Sequence, residues 1–183
     1  SFLKNFRSVI KNNIVKHINI ACSHIDIYGA TLLQKTLSEL QLDRDNILIY
    51  CSYDVDQHEP AKTLKLLNTI ATVNIVDLKY LHSKVFEIQT DKYWVIYNGS
   101  CSLTRESLTE NVELMTRHTT AEQELKPFWE LIRPNSFHFE NGFLENYAQF
   151  PVRQEQNWLK ELQQFKEKLS SIIDVKQESA FFT

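Results

Sequence analysis

Short apolar runs alternate with segments of helical period along most of this chain, and that alternation narrows the folds open to it. Ile14 to Cys22 reads as a buried strand. Gly29 opens a helix in which Ala30, Leu33, Leu37 and Leu40 fall at helical spacing. Asn46 to Tyr50 is a short apolar strand, with Asp43, Asp45 and Asn46 as its turn residues. Pro60 suits the first turn of a helix that Leu64, Leu67 and Ala71 continue, and Val73 to Val76 is the next strand. Lys84 to Ile88 and Tyr93 to Tyr97 are joined through Gln89 to Lys92 as a hairpin. Asn111 to Met115 reads as the last strand and Glu122 to Ile132 as the last helix of this part. Residues 2 to 13 precede it as an amphipathic helix, with Phe2, Phe6, Val9 and Ile10 on one side. Strands alternating with helices imply an α/β fold: a mixed β-sheet flanked by helices on both faces.

At 183 residues the chain fits one domain with an appendage. Pro134 and the Asn-Ser after it mark the boundary, which divides residues 1–133 from a helical C-terminal extension at 134–183. In the extension, Trp158, Leu162, Phe165, Leu169 and Ile172 recur at spacings of four and three, a seam suited to dimerisation or to leading into a further domain. The apolar fraction of 43% is enough for a packed core, and no apolar run approaches membrane-spanning length. The N-terminus lacks the pattern of a secretory signal. Cys22, Cys51 and Cys101 are odd in number and without metal-ligand spacing, so a reducing, cytoplasmic setting is expected. Net charge is −3, so any polyanion would have to be held by a local basic groove and not by overall charge.

The chemistry concentrates in two places. His82 and Lys84 stand two residues apart on a strand and point to the same face. After the next strand comes Asn98-Gly99-Ser100-Cys101-Ser102, a cluster of small donors. An imidazole can act as nucleophile or as acid and base. An ammonium neutralises phosphate charge as a compact cation. Hydroxyls and backbone N–H groups around Gly99 can bind non-bridging oxygens. Together they suit a reaction in which phosphate is held and attacked.

Leu81-His82-Ser83-Lys84, a strand, then Asn98-Gly99-Ser100-Cys101-Ser102 resembles the signature of the phospholipase D superfamily, His-x-Lys followed by Gly-Ser-x-Asn. Glu113, in Asn111-Val112-Glu113-Leu114, resembles the acidic residue that follows in many of its nucleases. In two positions the chain departs from the pattern: Gln89 stands where an Asp often follows the Lys, and Ser102 replaces the Asn. Lipid-type enzymes of the superfamily usually carry two motif copies, whereas this chain carries one, so the likeness is to the single-motif nuclease branch with its restriction-endonuclease-like catalytic domains. The resemblance implies metal-independent hydrolysis of nucleic acid, DNA in preference to RNA, through a phosphohistidine on His82, with no cofactor. Lys84, Gly99, Ser100 and Ser102 would bind phosphate, and Glu113 would orient a histidine. One motif supplies one His82, so a two-histidine site implies a homodimer sharing its active site across a two-fold axis.

Two other readings stand beside this one. The first is a catalytically silent phosphate- or nucleic-acid-binding module of the same fold, which the Ser102 and Gln89 departures favour. The second is a lipid phosphodiesterase, for which a second motif or an interfacial apolar patch would be expected. Cys101 as a thiol nucleophile is the minor alternative within the motif; a buried packing role is the ordinary one. His17, His24, His58, His118 and His138 show no ligand spacing and are read as structural, with a place at the rim of the pocket as the minor alternative for His24 and Asp26 at the end of the first strand.

Overall fold

The computed structural model describes residues 2–52, 55, 56, 58–76 and 81–139. The seam around Trp158, and with it the C-terminal extension, lies outside the described residues. Among the described residues, α-helices and strands follow one another in the order α1 (Phe2–Asn12), β1 (Val15–Cys22), α2 (Ile27–Leu37), β2 (Ile47–Cys51), α3 (Pro60–Asn68), β3 (Thr72–Val76), β4 (Lys84–Thr90), β5 (Trp94–Gly99), α4 (Arg105–Thr109), β6 (Met115–Thr120), α5 (Lys126–Ile132) and β7 (Ser136–His138). Among the described residues, no helix is long and apolar enough to cross a membrane.

One seven-stranded sheet carries the fold, in the order β6-β5-β4-β1-β2-β3-β7. β1, β2 and β3 are parallel and are linked by the crossover helices α2 and α3. β4 turns back antiparallel to β1, and β5 and β6 continue as an antiparallel meander. The sheet is mixed, as the alternation of apolar runs implied. The turn between β4 and β5 is tied by Thr90, whose hydroxyl accepts from the N–H groups of Lys92 (3.2 Å) and Tyr93 (3.0 Å).

Side-chain alternation builds two cores. Ile18, Ile20 and Cys22 of β1 face the same side as Ile47 and Ile49 of β2, Val73 and Ile75 of β3, and Phe86 and Ile88 of β4. α1, α2 and α3 cover this side with Phe6, Val9, Ile10, Leu33, Leu37, Leu64 and Leu67. Phe2 packs tilted and Phe6 edge-on against Phe86, with ring centroids 4.6 and 5.9 Å apart, which fastens the N-terminal helix over the centre of the sheet. On the other side, Trp129 and Ile132 of α5 pack on Ala21, Tyr50 and Val76. Helices therefore lie on both faces, as expected.

Three expectations need correcting. The last strand of the meander is Met115–Thr120, not Asn111–Met115. Val112 and Leu114 looked like its apolar residues but are exposed, whereas the real strand lies at a sheet edge and carries mostly polar side chains. The helix expected from Glu122 starts only at Lys126, with Pro127 in its first turn. The sheet also runs past residue 133. Pro134 sits in a 3-10 turn, Arg133–Asn135, that leads into β7, and β7 pairs antiparallel with β3 through Asn74 and His138.

Candidate active site

The two ends of the motif are brought to the same end of the sheet by strand pairing. β1 and β4 run antiparallel with Cys22 opposite Lys84, the last pair of the ladder. Beyond it the chains stay in register, because the Ser23 N–H donates to the Ser83 carbonyl at 3.0 Å. The segment after β1 is then pinned from the other side. The Leu103 N–H donates to the His24 carbonyl (3.1 Å), the Asp26 N–H to the Leu103 carbonyl (3.1 Å), and the Ile25 N–H to the Val55 carbonyl (2.8 Å). Four separate stretches of sequence therefore meet around residues 23–26.

Lys84 is buried to 8% exposure, yet its Nζ lies 3.3 Å from both Nδ1 and Nε2 of the exposed His82 ring. The apolar stem is packed against the sheet while the ammonium emerges beside the imidazole. The two side chains meet as their spacing implied, but His82 lies just before β4 and not on the strand itself.

His24 is the second imidazole at this place. Its ring centroid is 6.3 Å from that of His82, with the planes at 71°. The ring is half-buried, and the buried Ser23 hydroxyl lies 3.0 Å from its Nδ1. A cleft of about 310 Å³ opens beside it, lined among others by Asp26, Asp56, Ser102, Thr104 and Glu106. His24 and Asp26 thus do line a rim, and Ser102 shares it.

Asp26 and Asp56 are held in structural roles. Asp26 caps α2, accepting from the Gly29 N–H at 2.7 Å, and also accepts from the Arg105 N–H at 2.7 Å. Burial works against a charged Asp56. The Thr63 hydroxyl (2.6 Å) and the N–H groups of His58, Glu59 and Ile27 outweigh it, so its carboxyl sits below the usual range. Among the described residues, no group of three or more His, Cys, Asp or Glu side chains is disposed to hold a metal ion.

Gly99, Ser100 and Glu113 form a neighbouring cluster. Gly99 closes β5 where β6 begins, and a Cβ there would overlap the Leu114 carbonyl oxygen, so close approach of the two strands demands glycine. Ser100 ties the same junction. Its N–H donates to the Leu114 carbonyl (3.0 Å), its hydroxyl accepts from the Leu114 N–H (3.1 Å), and the hydroxyl also donates to the Glu113 carboxylate. The hydrogen bond from Ser100 holds the Glu113 carboxyl below its ordinary range, with help from Ser107, Asn111 and the Lys84 charge. Of the two motif serines, Ser102 faces the cleft, whereas Ser100 is engaged in structure.

Ser100→Ala is therefore expected to raise the Glu113 pKa. The depressed carboxyl contributes stability that is present above its unfolded-state pKa of about 4.3 and is lost as pH falls through the folded value. Without Ser100 that loss should come at higher pH. Carboxyl chemical shifts followed between pH 2 and 6 would show it, and an unchanged titration would refute the assignment.

Cys101 is buried, and burial, followed by the Glu113 charge, pushes its pKa up. Burial takes Cys22 to about 11. Both thiols are packing groups at neutral pH. Two of the three cations on α1 are paired, since Arg7 and Lys11 both bind Glu39.

The meeting of His24 with His82 could not be read from spacing, because they lie far apart in the chain. The signal is the sum of register positions. If Cys22 opposes Lys84, an antiparallel pair places residue 24 opposite residue 82.

No protein-family model matches the chain, and no curated protein matches it. Among solved structures it is similar to the crystal structure of Nuc from Salmonella typhimurium, described as a phospholipase D family member. The TM-score is 0.57 at 12% identity, over 75% of this chain and 91% of that one. At this identity it is a likeness of fold.

Proposed function

From a phospholipase D-like fold with His82 and Lys84 in contact at the head of β4, we propose that the protein is a metal-independent phosphodiesterase acting on nucleic acid. The observation that carries the reading is the Lys84 ammonium, 3.3 Å from the His82 ring nitrogens in an otherwise packed environment. A cation fixed there draws phosphate oxygens to within reach of the imidazole. Ser102, at the cleft wall, adds a donor for a non-bridging oxygen. His82 then attacks phosphorus and forms a phosphohistidine, and water releases the product.

DNA in preference to RNA remains the substrate proposed, with a restriction or defence nuclease as the setting. Arg105 and Tyr28 support nucleic acid. Arg105 lies between the cleft residues Thr104 and Glu106, and its guanidinium stands 6.0 Å over the half-exposed Tyr28 ring, a cation and an aromatic surface of the sort single strands stack on. A two-step displacement also needs a second imidazole. A homodimer that apposes two His82 side chains would provide one, and His24 is another source within the chain.

Cleavage of plasmid and of short single strands is expected to proceed in EDTA as well as in magnesium, because His82 and Lys84 perform the roles a metal would otherwise fill. Cleavage seen only with magnesium would overturn the mechanism. The engagement of the Ser100 hydroxyl with Glu113 and Leu114 favours the silent binding module. Tight nucleic-acid binding without cleavage under either condition would establish that reading instead.

A further inference from the structure

We propose that the cleft between α1, α4 and the β5–β6 side of the sheet takes a nucleobase, guanine by preference, which Val112 and Leu114 wedge out of its stack beside the phosphate. The inference deepens the nuclease reading and rests on it for the phosphate at Lys84.

The cleft holds about 410 Å³, within the range of small-ligand sites. Its place follows from strand register. Val85 opposes Asn98 and Gly99 opposes Met115, so antiparallel pairing carries Lys84, Gly99 and Met115 into one row across β4, β5 and β6. Met115 therefore stands about 10 Å from Lys84, two strand spacings away. Gly99 leaves the space between them without a side chain of its own, and the Met115 sulfur lies 2.8 Å from where a Cβ would stand. The cleft thus begins at the motif. Phe2 of α1, Leu108 of α4, Tyr97 and Met115 give it an apolar floor. Phe2 and Tyr97 meet edge to face with ring centroids 5.4 Å apart, an aromatic surface of the sort bases pack on.

Two charged groups share this apolar space, Glu113 and Arg117. The hydrogen bond from Ser100 keeps Glu113 ionised, so its carboxylate can only accept. Arg117 makes no ion pair among the described residues and presents a fork of donors. Guanine offers the counterpart to both: an amino group for the carboxylate, and the acceptors O6 and N7 for the guanidinium. Thymine has no amino group to give.

A base stacked in a strand has to be freed before a cleft can hold it. Val112 is fully exposed and Leu114 is 73% exposed, and they flank Glu113 in the chain. Apolar side chains in such a position push between base steps and unstack them, and the freed base is then read along its edge inside a pocket. Wedge, carboxylate and cleft follow one another along the same short segment that leads into β6.

Met115 is the single methionine of the chain, so its ε-methyl gives one carbon-13 signal that reports the cleft directly. The titrations use His82→Ala to prevent cleavage. Deoxyguanosine monophosphate should shift the methyl signal through the ring current of the bound base. It should bind about tenfold more tightly than thymidine monophosphate, the discrimination a good bidentate pair supplies. Arg117→Gln should remove that preference. A thymidine decamer carrying one deoxyguanosine should shift the signal as well. Val112→Ser combined with Leu114→Ser should weaken the effect of the decamer far more than that of the mononucleotide, because only the strand has to be unstacked. A methyl signal that neither nucleotide moves would overturn the proposal, and so would equal affinity for the two. A double variant that dissociates a dimer in sedimentation while the decamer still shifts the methyl fully would also overturn it, by assigning Val112 and Leu114 to a second copy. The nuclease reading fails separately, if wild type cleaves no strand with or without magnesium. A guanine-selective methyl shift in that case would leave the base site standing on a silent binding module.

Discussion

His82→Ala is expected to lower cleavage by at least about 10⁴-fold, the scale on which removal of a covalent nucleophile is felt. His82 is exposed and lies just before β4, so its removal should change stability by no more than about 0.5 kcal/mol. The loss would therefore be one of chemistry, and a thermal melt beside the cleavage assay separates the two. Lys84→Met keeps the packed stem and removes the ammonium, and should approach the same loss. Cys101→Ala should retain most activity, because that thiol is buried and its pKa is raised by burial. An active His82→Ala together with a dead Cys101→Ala would transfer the nucleophile to the thiol.

The second large effect is structural. Gly29, in the first turn of α2, lies so close to the strand-like segment at Leu103 that an added Cβ would overlap the Leu103 carbonyl oxygen. The atom in the way is backbone, and Leu103 is fully buried and bonded on both sides, to His24 and to Asp26. It cannot rotate aside as a side chain would. Gly29→Ala should cost roughly 3 kcal/mol, the upper part of the range for overpacking. For a chain of this size that corresponds to a fall in Tm of about 6–12 °C. Activity should fall further than stability alone explains, because the Leu103 segment carries Ser102 and pins His24. Chemical denaturation measures the first effect, and cleavage by the residual folded protein measures the second. A Gly29→Ala protein as stable and active as wild type would contradict the close approach.

How far the sequence could be read depended on whether the signal was local. β1, β2, β3 and the β4–β5 hairpin stood out because buried strands are continuous apolar runs. β6 did not, because an edge strand with Thr116, Arg117, His118, Thr119 and Thr120 has no apolar pattern to find. β7 has three residues and α4 five, too few for any period to show. At the site, His82 and Lys84 were legible as neighbours because two-residue spacing is a local fact, although only Lys84 belongs to the strand. Ser100 and Ser102 looked equivalent in the sequence and are not. The first is captured by Leu114 and Glu113 across the β5–β6 junction, and the second is left on the cleft wall. Such capture depends on which strand lies alongside, and spacing along the chain does not record that.

The continued register between β1 and β4 makes the sheet a ruler for the pair of histidines. Strand residues alternate faces, so one residue added or removed in β1 after His17, or in β4, would turn one imidazole to the opposite face while leaving the strand intact. The β4–β5 turn around Asp91 and Lys92 lies outside that ruler. Length changes there alter neither histidine's frame. Among descendants of this chain, insertions and deletions should therefore collect at such turns and be missing from the end of the ladder where Cys22 opposes Lys84, even where substitutions have replaced most of the strand.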